Sequence, residues 1–492
     1  MRKFAPHQML RKVFRLWLEL VFLSGMLSAS PVLGQWNLQT IHACGTNGGV
    51  AYPYDGVIQG RDGALYGTAV SGATNGGFGG IYKLNPDGSG FKVILEFAPP
   101  ESPATNPFDA QGTLLQGFDG TLYGLTPSGG ANEYGTIFKL DTNGGNFLVI
   151  YNFSTNLFES QDLAVGGMWI SYSPLLQGAD GGLYVTAHNG GSNNAGAIFR
   201  LNSDGSGFTI LHSFGAFASD GQYPVAALTQ GADGVLYGVT EEGGSNFWGT
   251  AFELNTNGSG YAVLHHFGGD SDGVVPSARI IQARDGALYG TTRLAGSNAT
   301  DRSALKGVVF RLNTDGSGYT VLHHFTNSGN IFYGNYSELF QGGDGALYGK
   351  SMSGGSTSGG NVFRLNPDGT GYAEIATFPS AGWYGPVPSL GVIQGSDGAW
   401  YGTTYNLGSG TGTVFRLALA APRFSGIHVL PDHGVQLSLA GTSGCTYRID
   451  VSTDLLNWSP FTTLSNLAGI TQFSDLGAGA FAQRYYRAVW IP

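Results

Sequence analysis

The sequence predicts an all-β protein: a seven-bladed β-propeller closed by an N-terminal strand, followed by a small β-sandwich. Three observations carry this prediction. A stretch like Asp233-Gly234-Val235-Leu236-Tyr237-Gly238 occurs seven times, starting at Asp62, Asp119, Asp180, Asp233, Asp285, Asp344 and Asp397. Spacings of 52 to 61 residues are the period of a repeat architecture. Each copy lies in a unit that reads as four short strands. The seventh unit lacks its fourth strand, and a strand of that type stands alone ahead of the first unit.

Residues 1–34 read as a secretory signal peptide. Arg2, Lys3, Arg11, Lys12 and Arg15 make a basic start, Leu16 to Leu27 is mostly apolar, and Val32-Leu33-Gly34 precedes Gln35 as a small-residue cleavage site. The apolar run is short for the ~30 Å of bilayer hydrocarbon, so export is expected rather than a membrane span. Trp36 to Cys44 follows as an isolated alternating strand. Its relatives end at Phe97, Phe153, Phe214, Phe267, Phe325 and Phe378.

The fourth unit serves as template. Strand a is Val225 to Gln230, and Asp233-Gly234 is read as a two-residue hairpin turn. Strand b is Val235 to Thr240. A loop opens at Gly243-Gly244-Ser245-Asn246, and strand c is Thr250 to Leu254 with alternating faces. Asn257-Gly258-Ser259-Gly260 turns the chain into strand d, Tyr261 to Phe267. Strand c occurs seven times, ending at Leu84, Leu140, Leu201, Leu254, Leu312, Leu365 and Leu417. Strand d follows it only six times. An open solenoid would carry polar caps at its ends. A ring instead needs its N-terminal strand to complete the last sheet, which is the β-propeller solution. The propeller is assigned to residues 35–421.

From Pro422 the repeat stops. Runs at Val435–Leu439, Tyr447–Val451, Phe461–Leu464, Thr471–Phe473 and Arg484–Val489 predict a β-sandwich over 422–492, with Trp458 in its core. Cys44 aligns with the buried Phe of other units, and export would also permit a Cys44–Cys445 disulfide.

The unit DG-x-LYGTT, GG, GTVF(R/K)LN-x-DGSG-x-x-VLH-x-F resembles the GloVer tandem repeat of secreted bacterial proteins described as choice-of-anchor, over residues 36 to 417. Tyr447-Arg448-Ile449-Asp450, Ser452-Thr453-Asp454-Leu455, Trp458 and Arg484-Tyr485-Tyr486-Arg487 resemble a fibronectin type III-like module. The family description implies a C-terminal anchor, whereas Ile491-Pro492 follows no apolar span or basic stop. The resemblance carries no catalytic residues with it.

Composition narrows the function. Of 492 residues, 82 are Gly, 42% are hydrophobic and only 11% are charged. Without residues 1–34 the chain holds 18 Lys and Arg against 32 Asp and Glu, a net charge of −14. This acidic balance argues against nucleic acid and anionic membrane as partners. A monomer without cofactor or metal is expected, since no zinc spacing, GxSxG, HExxH or P-loop motif occurs.

Strand reversal puts the a–b and c–d turns on one face and the b–c and d–a loops on the other. The turns are monotonous and the loops vary, so binding is assigned to the b–c/d–a face. Its aromatic residues, among neutral Asn, Ser and Gly, suit sugar rings. Trp169, Tyr172, Trp248, Trp383 and Tyr384 are the candidate ligand-binding residues, with packing between blades as the competing role. The expected function is binding of glycan or another extracellular polymer, or of cell-surface components. The alternatives are a polysaccharide lyase or hydrolase with its site at the channel mouth, or a structural, adhesive surface protein.

Several repeated features read as structural. Gln59, Gln116, Gln177, Gln230, Gln282, Gln341 and Gln394 end strand a, where each amide can satisfy neighbouring backbone. His42, His212, His265 and His323 share a strand-d position on different blades, too far apart to ligate one metal. The acid pair Glu241-Glu242 and the loop holding Arg293, Asp301, Arg302 and Lys306 read as solvated charge. The long Ser154–Ser173 crossover is a candidate lid.

Overall fold

A computed structural model describes residues 36–45, 50–53, 55–72, 78–98, 110, 112–153, 175–268, 272–294, 307–325, 338–351, 358–379, 388–405, 411–419, 422–441, 445–466 and 470–491. Among them the secondary structure is β throughout, apart from one 3-10 turn at Ala478–Ala480. The chain divides into two compact units, Trp36–Ala420 and Ala421–Ile491.

In the first unit each repeat makes one antiparallel sheet in the order a-b-c-d. In repeat 4, strand b is Leu236–Gly243, c is Thr250–Leu254 and d is Ala262–His266. Strand a is shorter than predicted. Only Thr229–Gln230 and a separate segment, Gly221–Pro224, pair with strand b. Within the first segment the pairing is interrupted at Tyr223, whose φ of 60° before Pro224 is left-handed. The Asp-Gly turn also differs from the two-residue form. Gly234 N–H donates to the Gly231 carbonyl, Gly231 N–H donates to Val235, and only Gly234 has positive φ. This is a type I turn followed by a left-handed Gly, the longer hairpin solution.

The Asp of each turn is fixed by its own strand. Asp62 Oδ1 accepts from Ala64 N–H, and Oδ2 accepts from the Tyr66 hydroxyl and Lys83 Nζ at 2.7 Å. Arg200, Arg364 and Arg416 repeat the Lys83 contact with Asp180, Asp344 and Asp397. Repeat 4 breaks the pattern with Glu253. Burial and the facing Asp233 raise its carboxyl above the ordinary pKa.

The orphan strand pairs where the repeat arithmetic required. Trp36–Ala43 runs antiparallel to Thr413–Leu419, from Trp36 opposite Leu419 to Ala43 opposite Thr413. It carries the bulge seen in the other c–d pairs. Phe415 faces Thr40 and Val414 faces His42, as Phe252 faces Val263 and Ala251 faces His265. Cys44 N–H donates to Gly412 O, the bond that Phe97 N–H makes to Gly79 O. Cys44 is a buried free thiol, not half of a disulfide, and burial pushes it up to about 12.

Neighbouring sheets are joined by the glutamines. Each Gln donates Nε2 to the carbonyl of its own turn Gly, as Gln116 does to Gly120 at 2.9 Å. Its Oε1 accepts a backbone N–H from the preceding sheet. Arg61, Phe118, Ala179, Ala232, Arg284 and Gly343 donate to Gln116, Gln177, Gln230, Gln282, Gln341 and Gln394 in turn. Ser396 N–H then donates to Gln59 at 2.7 Å, which returns to the first sheet across 337 residues. Strand d adds a second set of links. His42, His212, His265 and His323 stack on Phe91, Tyr261, Tyr319 and Tyr372 of the next sheet at 3.7–3.9 Å. At Gly88, with φ of 86°, a Cβ would overlap the Ile41 carbonyl oxygen of the N-terminal strand. Between the sheets lie apolar layers such as Val57, Leu65, Tyr82, Leu84, Tyr401 and Val414.

The second unit has two three-stranded sheets. One orders Arg423–Val429, Val435–Ala440 and Ile470–Asp475; the other orders Ser459–Asn466, Cys445–Ser452 and Tyr485–Ile491. Leu437, Leu439, Tyr447, Ile449 and Phe473 make the shared core. Trp458 does not. Its Nε1 donates to Leu455 O and its ring lies under the Arg487 guanidinium at 4.6 Å, an amphipathic seat at the edge of the sheet.

Two outcomes follow for stability. Deleting Trp36–Ala43 removes a fourth strand and bares the edge of Thr413–Leu419; thermal melting and size-exclusion chromatography are expected to show a lower Tm and aggregation. Glu253→Arg restores the cation present in other repeats. Its expected gain is about 0.2–1 kcal/mol at low salt, fading at high salt, read from denaturant midpoints.

Candidate functional site

The two faces differ in kind. On the turn face the Asp–Tyr–cation clusters and the Gln bonds recur from repeat to repeat, so their groups are spent on the fold. The b–c loops of repeats 2, 3 and 4 share one backbone with different side chains. Gly135, Gly196 and Gly249 N–H donate to Gly129, Gly190 and Gly243 carbonyls. Asn132 and Asn193 donate Nδ2 to the Phe153 and Phe214 carbonyls, and Asn246 to that of His266. The two residues at the loop tip are Glu133-Tyr134, Asn194-Ala195 and Phe247-Trp248, the first of each left-handed at φ of 52–66°.

In repeat 4 this frame holds two aromatics outward. Phe247 is 74% exposed and Trp248 41%. The Trp248 carbonyl accepts Val275 N–H of repeat 5, which ties the loop to the next sheet. Ser245 N–H donates to His266 Nδ1 at 3.2 Å. An apolar platform is thus fixed by its backbone and flanked by neutral polar groups.

Beside it, one position just past the LYG strand carries His188, Glu241 and Arg293 on three consecutive repeats. His188 stacks on Tyr223 at 5.0 Å and bonds Asn189 Oδ1 through Nδ1 at 2.7 Å. Burial lowers its pKa, opposed by Asn189 and by Glu242. Burial pushes the Glu241 carboxyl up to about 7; Arg293 pulls it back and Glu242 pushes it further. The reading of Glu241-Glu242 as solvated charge is therefore corrected. Glu242 is exposed and Glu241 is not, because successive strand residues point to opposite sides.

A second group escaped the sequence reading. Asp55 is buried before strand a of repeat 1; its Oδ1 accepts Gly56 N–H and its Oδ2 accepts Thr113 N–H of repeat 2. Lys350 is buried on strand b of repeat 6. Arg279 of repeat 5 pairs with Glu338 of repeat 6 at 2.6 Å. Burial raises Asp55, as does Glu338, and burial lowers Lys350 to about 7 against the pull of Asp55 and Glu338. Asp55 of repeat 1 thus interacts electrostatically with Glu338 and Lys350 of repeat 6, and Arg279 joins them through Glu338. The signal was present as broken symmetry. Lys350 stands where other repeats have Thr68, Thr186, Thr291 and Thr403.

Of the predicted ligand-binding residues, Trp248 lies on the platform just described. Trp169, Tyr172, Trp383 and Tyr384 lie outside the described residues, as do the Ser154–Ser173 crossover and Asp301, Arg302 and Lys306. Among the described residues, no group of three or more His, Cys, Asp and Glu is placed to hold a metal ion, and no helix is long and apolar enough to cross a membrane.

The Gloeobacter/Verrucomicrobia repeat profile matches residues 30–230 and 170–415. The chain belongs to this repeat family. No curated protein matches the family member described here. Solved structures similar to it include an oligogalacturonate lyase in complex with manganese, at 11% identity and a TM-score of 0.48, covering 80% of this chain and 99% of that one. A fungal alcohol oxidase of the AA5 family in complex with copper shares 12% identity at a TM-score of 0.48, covering 94% and 100%. A protein of unknown function from Dyadobacter fermentans DSM 18053 shares 12% at 0.42, covering 77% and 98%. Likenesses this distant lend this repeat protein no activity.

Glu241 makes a pH prediction. Its folded pKa is above the ordinary 4.5. Below about pH 4.5 both states are protonated and it costs nothing. As pH rises to about 7 the unfolded chain ionises first, and the folded state carries a penalty that is complete above 7. Glu241→Gln is expected to match wild type in thermal melts at pH 4 and to gain about 1–3 kcal/mol at pH 8.

Proposed function

We propose that this protein is an exported binding protein whose residues 35–421 form a closed seven-bladed β-propeller and whose residues 422–492 form a fibronectin type III-like module. The cycle of glutamine bonds returning to Gln59 and the pairing of Trp36–Ala43 support the ring. Its ligand is a glycan or similar extracellular polymer, held on the b–c/d–a face. One observation carries this reading: Phe247 and Trp248 are exposed side by side on a backbone-bonded loop, while the repeated strand aromatics are buried. An aromatic face buries the C–H side of a sugar ring, and Ser245, Asn246 and Glu242 supply partners for its hydroxyl edge.

A second reading, a polysaccharide lyase or hydrolase, is favoured by His188, Glu241 and Arg293 at one position on adjacent repeats. A carboxyl that titrates near 7 suits proton transfer at neutral pH. Release of reducing ends or unsaturated products from a polysaccharide panel, lost in Glu241→Gln, would favour this reading over binding alone.

Affinity electrophoresis in glucan, mannan, xylan and galactan gels tests the binding reading. Trp248→Ala is expected to weaken retention about tenfold, ~1.4 kcal/mol. Phe118→Ala removes an aromatic that is 60% exposed in an a–b turn, on the opposite face, and is expected to leave retention unchanged. Equal loss in both variants, or no retention of wild type in any gel, counts against it.

A further inference from the structure

The four inner charges are not required by the sheets that carry them. Strand b closes with Thr at the Lys350 position in four other repeats, where Thr68, Thr186 and Thr403 donate to carbonyls of the next sheet. Gly56, Ala227 and Gly391 occupy the position of Arg279 and Glu338, and Gly112, Ala226 and Ala278 that of Asp55. Uncharged residues therefore build the same strand in the same chain. Buried charges bring a desolvation cost that small polar or apolar residues avoid, so a fold alone gains little from them. Here they come from repeats 1, 5 and 6 and converge.

Their chemistry is balanced. Asp55 and Glu338 accept, Arg279 and Lys350 donate, and the formal charge sums to zero. Asp55 is already oriented by two backbone N–H groups. Arg279 and Glu338 keep 30% and 19% of their side chains exposed, so they form the reachable edge, with Asp55 and Lys350 behind. Buried Ser277 Oγ, two residues before Arg279, lacks a hydrogen-bond partner. A neutral array of alternating donors and acceptors matches a group that both donates and accepts at adjacent positions, and vicinal hydroxyls do this. A simple anion would leave the two carboxylates repelled; a simple cation would do the same to the two bases.

We infer that Arg279, Glu338, Lys350 and Asp55 form a subsite for one neutral pyranose unit, bound through its vicinal hydroxyls at the inner ends of repeats 1, 5 and 6. This rests on the glycan reading and adds to it a polar subsite distinct from the Phe247–Trp248 platform.

The test replaces each charge with the residue of another repeat. Lys350→Thr copies Thr291 and Arg279→Ala copies Ala227. Without ligand, Lys350→Thr is expected to melt at or above the wild-type temperature, as a site held against stability does. Both variants are expected to lose about tenfold in retention on whichever neutral gel retains wild type. A lower Tm for Lys350→Thr would assign the charges to the fold and overturn the inference. Wild-type retention in both variants, with loss in Trp248→Ala, would overturn the subsite while leaving the glycan reading intact. If no gel retains wild type, the glycan reading fails. The subsite is then read with methyl glucoside, galactoside and mannoside by saturation-transfer NMR. A wild-type signal lost in Arg279→Ala supports the subsite, and no wild-type signal overturns it.

Discussion

The structure depends on one amide contact repeated from sheet to sheet. Each strand-a glutamine holds its own turn through Nε2 and the neighbouring sheet through Oε1, so one side chain sets both a hairpin and its distance to the next. The bond from Ser396 to Gln59 brings this chain of contacts back to its start. A buried or half-buried amide with both ends satisfied favours one geometry, because any displacement leaves a polar group unpaired. The stacked His–aromatic pairs impose the same spacing at strand d.

That repeated constraint explains why sequence can vary elsewhere. The b–c loops of repeats 2, 3 and 4 keep their Gly and Asn bonds and change what they display. Repeat 3 turns the outer position inward as buried Ala195, and repeat 4 uses it for Trp248. The same logic holds at the inner ends of the sheets. A Thr that serves the scaffold in several repeats becomes Lys350 in one. Departures from the repeat are therefore the places where groups are released from structural duty.

The proposed binding at two levels fits this division. The aromatic platform supplies area with little lost rotamer freedom, since its loop is already bonded at Gly243, Gly249 and Val275. In that proposal the inner charges supply direction. His188, Glu241 and Arg293 stand at one position on adjacent repeats, where burial lowers the His188 pKa and raises that of Glu241.

The sequence by itself determined the repeat count, the strand order and the partner of the orphan strand, because each is a matter of period and of a missing copy. It also assigned the glutamines and histidines to structure, since seven- or fourfold recurrence is what a symmetric contact demands. Turn geometry was less legible: the Asp-Gly signal is shared by two hairpin forms, and only the Gly231–Gly234 bond separates them. Trp458 looked like core because indole usually is, yet Arg487 covers it from outside. Only tertiary structure decided that Glu241 is half-buried while Glu242 is exposed. It alone brought Asp55, Arg279, Glu338 and Lys350 together, since their proximity arises from three sheets converging and no local pattern encodes it.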